Sequence, residues 1–439
     1  MAHVTVLGAG LVAGPVVRHI LESSQHTVSV AARSVDRARA LVNGHPRGSV
    51  VAFDIEDAAA LDALVAKSDV VVSMLPWLHH LPVAQRCLAH GRHLVTTSYV
   101  QPAMRALDGE AKARGVILLN ELGLDPGIDH MSAMRVIHGV RAKGGRVTSF
   151  RSYCGGLPAP EANNNPFGYK FSWSPRGVVL AARNAAKYRK DGVEVVIPGP
   201  ELFASPELVD VPGAGRFEGY PNRDSTSYIK VYDLEGVQTM FRGTLRNLGH
   251  CYTWKAMGAM GLYDDAPQTF ADATYRGVMA RLAGVDAAGD VEGALAARGN
   301  VPKGSEPLQK LAWLGMFEAT ALPENPISPL DALVSRMVEK LQYAPGERDM
   351  IVLQHEFIAE YPDRKEYMRS ALVDFGVPNG ETAMSRTVGL PAAIGVLRIL
   401  DGTIATPGVL VPVSPGVYNP ILDELATLGV RFHEETKPL

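Results

Sequence analysis

Between residues 4 and 119, short apolar runs alternate with stretches of helical spacing, and few folds accept such a pattern. The runs are residues 4–7, 27–31, 50–53, 69–74, 93–96 and 116–119. Helical patterns lie between them, for example at about 57–67, 80–90 and 102–114. Parallel strands cannot be joined by a tight turn and need a crossover, which a helix supplies. The alternation therefore predicts a doubly wound parallel sheet, with its ligand outside the carboxyl ends of the strands.

The first run leads directly into Gly8-Ala9-Gly10-Leu11-Val12-Ala13, a G-x-G-x-x-A pattern. Gly8 permits the tight turn, Gly10 lets the backbone approach a pyrophosphate, and Ala13 keeps the next helix close to the sheet. That helix aims its N-terminal N–H groups at the phosphates. Strand before, helix after and further alternating units make this a Rossmann-type dinucleotide site. The second strand ends at Ala32-Arg33-Ser34, where an NAD site would usually place Asp or Glu for the ribose hydroxyls. A cation and a hydroxyl suit a 2′-phosphate instead, so NADP is the expected cofactor. The competing reading leaves Arg33 in solvent and gives the ribose to Asp36.

The stretch Asn120-Glu121-Leu122-Gly123-Leu124-Asp125-Pro126-Gly127-Ile128-Asp129-His130 closes this half. A strand feeds a Gly/Pro turn, and a helix pattern follows with Ile128, Met131 and Met134 on one side. Asp125 is expected at the mouth of the cleft with Leu75, Ser98 and Tyr99 on the same edge. The plainer reading makes Asp125 and Asp129 helix caps. Trp77, His79 and His80 lie just past the rim. The two histidines read as exposed loop residues, because nothing supplies a third metal ligand at workable spacing.

After residue 145 the texture changes. Residues 146–153 alternate as a strand of a new sheet and run into Cys154-Gly155-Gly156. A polar, aromatic loop follows over 163–177, and its Lys170 and Arg176 among aromatics predict an ordered loop rather than a disordered one. Cys154 could be a reactive thiol, though a lone Cys at a strand end is more often a small packing residue. Arg223 and Arg246 stand in irregular contexts suited to carboxylate recognition, against the plain alternative of surface ion pairs. Residues 255–345 are rich in Ala, Leu and Met at helical spacing and show no catalytic constellation. Residues 349–357 return to strand character, 388–400 read as a helix, 402–412 as a Gly/Pro/Thr loop, and 421–428 as a short helix.

The expected domains are 1–125 for the dinucleotide, 126–254 with 346–387 as an α+β substrate domain, and 255–345 as an inserted helical subdomain. The segment 388–439 is expected to pack back on the first. With 439 residues, several cores are expected. The 43 basic and 46 acidic residues nearly cancel and no basic run occurs, which argues against nucleic acid and anionic membranes as partners. No apolar run reaches the roughly 18–20 residues of a membrane span. The chain opens on a strand of the fold rather than on a basic, apolar leader. Three scattered cysteines form neither a disulfide framework nor a zinc cluster. A soluble cytoplasmic protein without a metal is expected.

In these residues the chain resembles the saccharopine reductase family, the glutamate-forming saccharopine dehydrogenases. The resemblance covers residues 8–13, 32–34, 97–99, 120–130, 152–160, 168–177, 220–225, 242–246, 347–355 and 400–403, essentially the whole chain. It implies an NADPH-linked enzyme of lysine metabolism that joins glutamate and α-aminoadipate semialdehyde into saccharopine. By position it places Gly10, Leu11, Val12, Ala13, Ala32, Arg33, Ser34, Asp54, Ile55, Leu75, Leu124, Asp125, Pro126 and Ser174 around NADP. Around saccharopine it places Ser98, Tyr99, Asp125, Arg223, Thr244, Leu245 and Arg246. Ser98 also borders the cofactor, and Asp125 is the candidate general base. A homodimer paired through the second domain's sheet is a further expectation, which no sequence feature shows. Residues 193–216 and 265–305 carry no recognised signature. Two other readings compete: a carboxylated-polyamine dehydrogenase using the same imine chemistry, and a non-catalytic NADP sensor. Arg223 and Arg246 favour an amino-acid substrate over a diamine, and a sensor needs no such substrate-side groups.

Overall fold

The computed structural model describes residues 1–439. The chain divides into two compact units. The first comprises residues 1–146, 361–363 and 380–433, and the second 147–360, 364–379 and 434–439.

Six strands of the first unit follow the predicted runs: β1 (His3–Leu7), β2 (Thr27–Ala32), β3 (Gly48–Ala52), β4 (Val70–Ser73), β5 (His93–Thr96) and β6 (Ile117–Leu119). All pair in parallel in the order β6-β5-β4-β1-β2-β3, with Val4 opposite Val28 on one side and Val70 on the other. The strand order reverses between β1 and β4, which is where such a sheet opens a crevice for its ligand. Crossovers run through α1 (Gly14–Ser23), α2 (Val35–Val42), α3 (Ala58–Ala66) and α4 (His80–His90). Between β5 and β6 the single expected helix is two short ones, α5 (Pro102–Arg105) and α6 (Asp108–Ala113).

The break between α5 and α6 has a physical reason that the sequence hides. Arg105 Nη1 donates to Val409 O at 2.7 Å, and Asp108 Oδ1 accepts from Val409 N at 2.9 Å. The two side chains clamp Gly408–Leu410, a seventh parallel strand beside β6. Residues 402–412 are therefore not all loop, as expected, but three residues are too short a run for periodicity to reveal.

The helix read at 388–400 starts earlier, at Ala383, with Thr382 capping Ser385 N. It packs on α1, where a Cβ on Gly389 would stand 3.0 Å from Val12 O. Its 18 residues meet the length and hydropathy of a membrane span, which the sequence reading found nowhere, but 78% of it is buried inside the protein. It is a core helix.

α7 (Ile128–Ala142) also belongs to the first unit, so the division falls near residue 146 and not at 125. Met131, Ala133, Met134 and Ile137 are buried along it. The second unit holds a nine-stranded mixed sheet. Its strands include β7 (Arg146–Pro158), β8 (Ala186–Lys190), β9 (Val193–Ile197), β10 (Glu207–Val211), β11 (Gly215–Pro221), β12 (Thr239–Arg246), β13 (Asp349–Glu360) and β14 (Lys365–Phe375). β12 pairs in parallel with β7 and antiparallel with β11. The helices from His250 to Lys340 do not form a separate core. Met257, Leu311 and Leu333 share one apolar cluster with Phe167, Tyr169 and Phe171 of the predicted loop, which is ordered by that burial.

Candidate active site

The carboxyl ends of β1 to β4 open onto a cleft of about 550 Å³. Gly8 and Gly10 follow β1, Ala32 ends β2, and Arg33 and Ser34 follow it. Asp54 and Ile55 come from beyond β3, and Leu75 from beyond β4. Gly8 sits at φ +105°, and a Cβ there would lie 3.1 Å from Met74 O. A Cβ on Gly10 would meet nothing within 4 Å, so the backbone borders open space of the kind a pyrophosphate needs. Ala13 is fully buried against the sheet, while Leu11 is exposed and Val12 partly so.

The charged lining of this cleft is mixed, with Arg33 and Arg37 after β2 and Asp54 and Glu56 beyond β3. Arg33 and Arg37 both line it, one helical turn apart, and neither has an ionic or hydrogen-bonding partner. Asp36 does not line it and pairs instead with Arg39 at 2.9 Å. Asp36 therefore stands outside the cleft in which the ribose reading would need it, and Arg37, which the sequence reading did not name, lines that cleft with Arg33. Its signal was the four-residue spacing from Arg33 at a helix start. Replacing both arginines by alanine is expected to lower the preference for NADP over NAD by roughly 10- to 100-fold in kcat/KM, the size of a lost hydrogen bond to a charged group. Unchanged preference would return the two side chains to solvent.

Beyond the end of β5, Tyr99 Oη donates to Asp125 Oδ1 at 2.6 Å. The two candidate carboxylates have separate roles. Asp129 is buried, and its Oδ1 accepts from Gly127 N at 2.6 Å, so the capping reading holds for Asp129. Asp125 is half-buried and faces Tyr99. The turn between them is tight: Gly123 N donates to Pro126 O at 2.9 Å, and a Cβ on Gly127 would fall 2.0 Å from Gly123 O. Leu124 and Pro126 are buried in this turn.

Glu121 holds the arrangement from behind, at φ +58°. Its Oε1 accepts from Val100 N at 2.8 Å, and its Oε2 lies 2.8 Å from Nε2 of the fully buried His130. The loop carrying Ser98 and Tyr99 is thereby tied to the start of α7. Glu121 and His130 belonged to the recognised motif, yet nothing in their spacing announced the contact.

His80 corrects the sequence reading outright. It is buried rather than exposed, with Nδ1 2.9 Å from Ser73 Oγ and Nε2 2.9 Å from Ser98 Oγ. His79 remains part-exposed and lines the cleft. Burial, with a smaller contribution from His79, pulls the His80 pKa from 6.5 to about 4. As pH falls from 6.5 towards 4, the unfolded chain takes up a proton that folded His80 refuses, so stability falls across that window. The loss is on the order of 3 kcal/mol at its lower end. His250, also pushed down by burial and by Arg246, acts with the same sign. His80→Gln is expected to narrow the difference between urea midpoints measured at pH 7.5 and pH 5.

In the second unit, Arg246 ends β12 and is buried. Its one hydrogen bond runs from Nη1 to Leu245 O at 2.8 Å, and its guanidinium lies 5.1 Å from the Tyr169 ring centroid. No carboxylate pairs with it. Lys170, Lys310 and Arg336 are as deeply buried, and each holds one: Glu347, Glu306, and Glu318 with Glu339. Burial works against the charge on Arg246, and the groups near enough to favour it are Tyr220, Tyr169, Cys154 and Cys251. Burial pushes the phenols and the Cys251 thiol upwards, so they stay neutral and supply no counter-ion. Arg246 is thus a buried cation without an anion of its own, an arrangement that costs desolvation in the free protein.

Thr244 lies opposite Tyr220 and Cys154 in register, and Leu245 is fully buried. Arg223 is exposed at φ +51°, in a turn fixed by Lys187 N donating to Arg223 O at 2.8 Å. Ser174 also belongs to this unit, where its Oγ accepts from Gly177 N at 3.3 Å and caps the helix Pro175–Ala181. His250 stacks between Tyr220 and Trp254, an arrangement the sequence did not reveal.

A doubly wound sheet with unpartnered arginines in its nucleotide cleft fits an NADP-linked oxidoreductase, here with a second unit that buries an arginine without a carboxylate partner. The chain belongs to the saccharopine dehydrogenase family. Residues 4–119 match the saccharopine dehydrogenase NADP binding domain, and residues 123–430 the saccharopine dehydrogenase C-terminal domain. The chain is 39% identical to the saccharopine dehydrogenase [NADP(+), L-glutamate-forming] of Schizosaccharomyces pombe, over 99% of both chains. It is 40% identical to the Saccharomyces cerevisiae protein of the same name, again over 99% of both. The bovine mitochondrial alpha-aminoadipic semialdehyde synthase is 35% identical, over 98% of this chain and 47% of that one. Among solved structures, the apo saccharopine dehydrogenase (L-Glu forming) of S. cerevisiae matches with a TM-score of 0.89 at 38% identity, covering all of both chains.

Proposed function

We propose that the protein catalyses the reversible, NADPH-dependent condensation of L-glutamate with α-aminoadipate 6-semialdehyde to saccharopine, in lysine metabolism. The observation that carries the reading is Arg246, buried without a counter-ion in a protein of this family. Saccharopine has three carboxylates and a secondary amine, whereas a diamine brings no carboxylate of its own, so Arg246 together with Arg223 fits the amino-acid substrate better. That disfavours the carboxylated-polyamine reading. A sensor of NADP has no use for Arg246 or for the Tyr99–Asp125 pair.

In the forming direction the glutamate amine adds to the aldehyde, water leaves, and the resulting imine is reduced to the secondary amine. The bound cofactor supplies hydride from C4 of its nicotinamide. The chain's own residues bind, orient and move protons. Arg33 and Arg37 hold the 2′-phosphate, and the Gly8–Gly10 turn admits the pyrophosphate. Arg246 holds a substrate carboxylate, with Arg223 and the Thr244–Leu245 backbone as further carboxylate contacts. Asp125, oriented by Tyr99, takes the amine proton in the oxidative direction and returns it in the forming one. No metal is required, because an amine and its imine interconvert without one. The reading also places the enzyme in the cytoplasm, acting on small molecules rather than nucleic acid or membranes. The free thiols of Cys87, Cys154 and Cys251 agree with a reducing compartment. A homodimer paired through the second unit's sheet is part of the same reading.

Saccharopine-dependent reduction of NADP+, measured beside NAD+ at mildly alkaline pH, tests it. Reduction with NADP+ preferred is the expected result. Preference for NAD+ would keep the chemistry and overturn the roles of Arg33 and Arg37. Cofactor binding without any turnover would bring the polyamine and sensor readings forward.

A further inference from the structure

Ser73, His80 and Ser98 form a hydrogen-bonded chain across the carboxyl ends of β4 and β5, and the direction of its hydrogens can be deduced. Ser73 is fully buried, and its hydroxyl meets one group, Nδ1 of His80. Ser98 is half-buried, and its hydroxyl likewise meets one group of the protein, Nε2 of His80. If Nδ1 carried a hydrogen, the hydrogen of Ser73 would have no acceptor in a fully buried place, which costs the whole desolvation of that group. Ser73 must therefore donate to Nδ1, and a neutral imidazole then carries its hydrogen on Nε2. The protonated ring, with hydrogens on both nitrogens, meets the same objection, and burial disfavours it as well.

We infer that His80 is a positioning residue which, as the Nε2–H tautomer, donates to Ser98 Oγ and turns the Ser98 hydrogen outward to a ligand oxygen. The ligand atom is an acceptor: a carboxylate oxygen of the substrate or a carboxamide oxygen of the cofactor. The assignment rests on the proposed function for the identity of the ligand, but not for the tautomer.

The test has two readouts. In the protein labelled with 15N-histidine, the His80 ring nitrogens report the tautomer directly, without substrate. A hydrogen on Nε2 at neutral pH is expected, and a hydrogen on Nδ1, or on both, overturns the inference. This readout is independent of turnover, so a failure of the catalytic reading leaves it interpretable. The second readout is a double-mutant cycle. His80→Leu and Ser98→Ala are each expected to lower kcat/KM for saccharopine about tenfold or more, and the double variant no further. His80→Gln, which can still donate to Ser98, is expected to recover most of what His80→Leu loses. Additive losses, or a Gln variant no better than Leu, overturn the inference even where His80→Leu folds poorly. NADPH affinity measured on the same variants separates the two sources. A matching loss there assigns the acceptor to the cofactor, and a loss confined to saccharopine assigns it to the substrate.

Discussion

Replacing Arg246 by methionine is expected to lower kcat/KM for saccharopine by roughly a hundredfold or more while leaving Tm unchanged or raised. The two effects have one cause. In the free protein the guanidinium is buried beside phenols and thiols, with one backbone hydrogen bond and no carboxylate. Methionine fills similar volume without a charge to desolvate, and removing a poorly compensated buried charge is often neutral or stabilising. In the complex the balance reverses, because a substrate carboxylate would lose its partner in a water-poor place. Arg246→Lys keeps the charge but not the planar fork of donors, so it is expected to recover only part of the loss. Steady-state kinetics and thermal unfolding on the same preparations decide the matter. A fall in Tm comparable to the fall in activity would make Arg246 a structural residue and remove the support for an anionic substrate. By contrast, alanine in place of Arg336, whose partners are Glu318 and Glu339, would act mainly through stability.

Why Arg246 was legible and His80 was not is a matter of what each role requires of the local sequence. The six parallel strands, the glycine turn and the cation after β2 could be read because local periodicity and turn chemistry determine them. Arg246 stood in a block with a recognisable pattern, although its lack of a counter-ion is visible only in three dimensions. The strand Gly408–Leu410 exists because Arg105 and Asp108, some 300 residues earlier, bond to its backbone. No window of sequence contains that contact. His80 reads from sequence as an exposed loop residue because no third metal ligand stands at workable spacing, and its neighbours Trp77 and Leu78 are exposed in the structure. It turns inward because the ends of β4 and β5 each offer a hydroxyl, and strand order alone brings Ser73 and Ser98 together. Glu121 and His130 show the same limitation, since the tie between a strand end and a helix start depends on a left-handed residue whose side chain is not glycine.

Asp125→Asn is the sharper test of the chemistry, because the amide keeps an acceptor for the Tyr99 hydroxyl and removes the carboxylate base. The expected result is a fall in kcat for saccharopine oxidation of about a hundredfold, with a smaller change in KM, the range over which a positioned acid–base group acts. The size follows from the proton the secondary amine must lose before hydride can leave its carbon. Without a base at the site, that proton passes to water. Asp129 serves as the control carboxylate four residues on: it bonds Gly127 N inside the protein, so Asp129→Asn is expected to act through stability. Tyr99→Phe separates orientation from proton transfer. It removes the 2.6 Å hydrogen bond and leaves the carboxylate, so its effect on kcat should be the smaller of the two. If Asp125→Asn instead raised KM and spared kcat, Asp125 would hold the amine in place and another group would take the proton. Pre-steady-state reduction of NADP+ distinguishes these cases, because a slower single-turnover hydride step at saturating saccharopine comes from lost chemistry and not from lost binding.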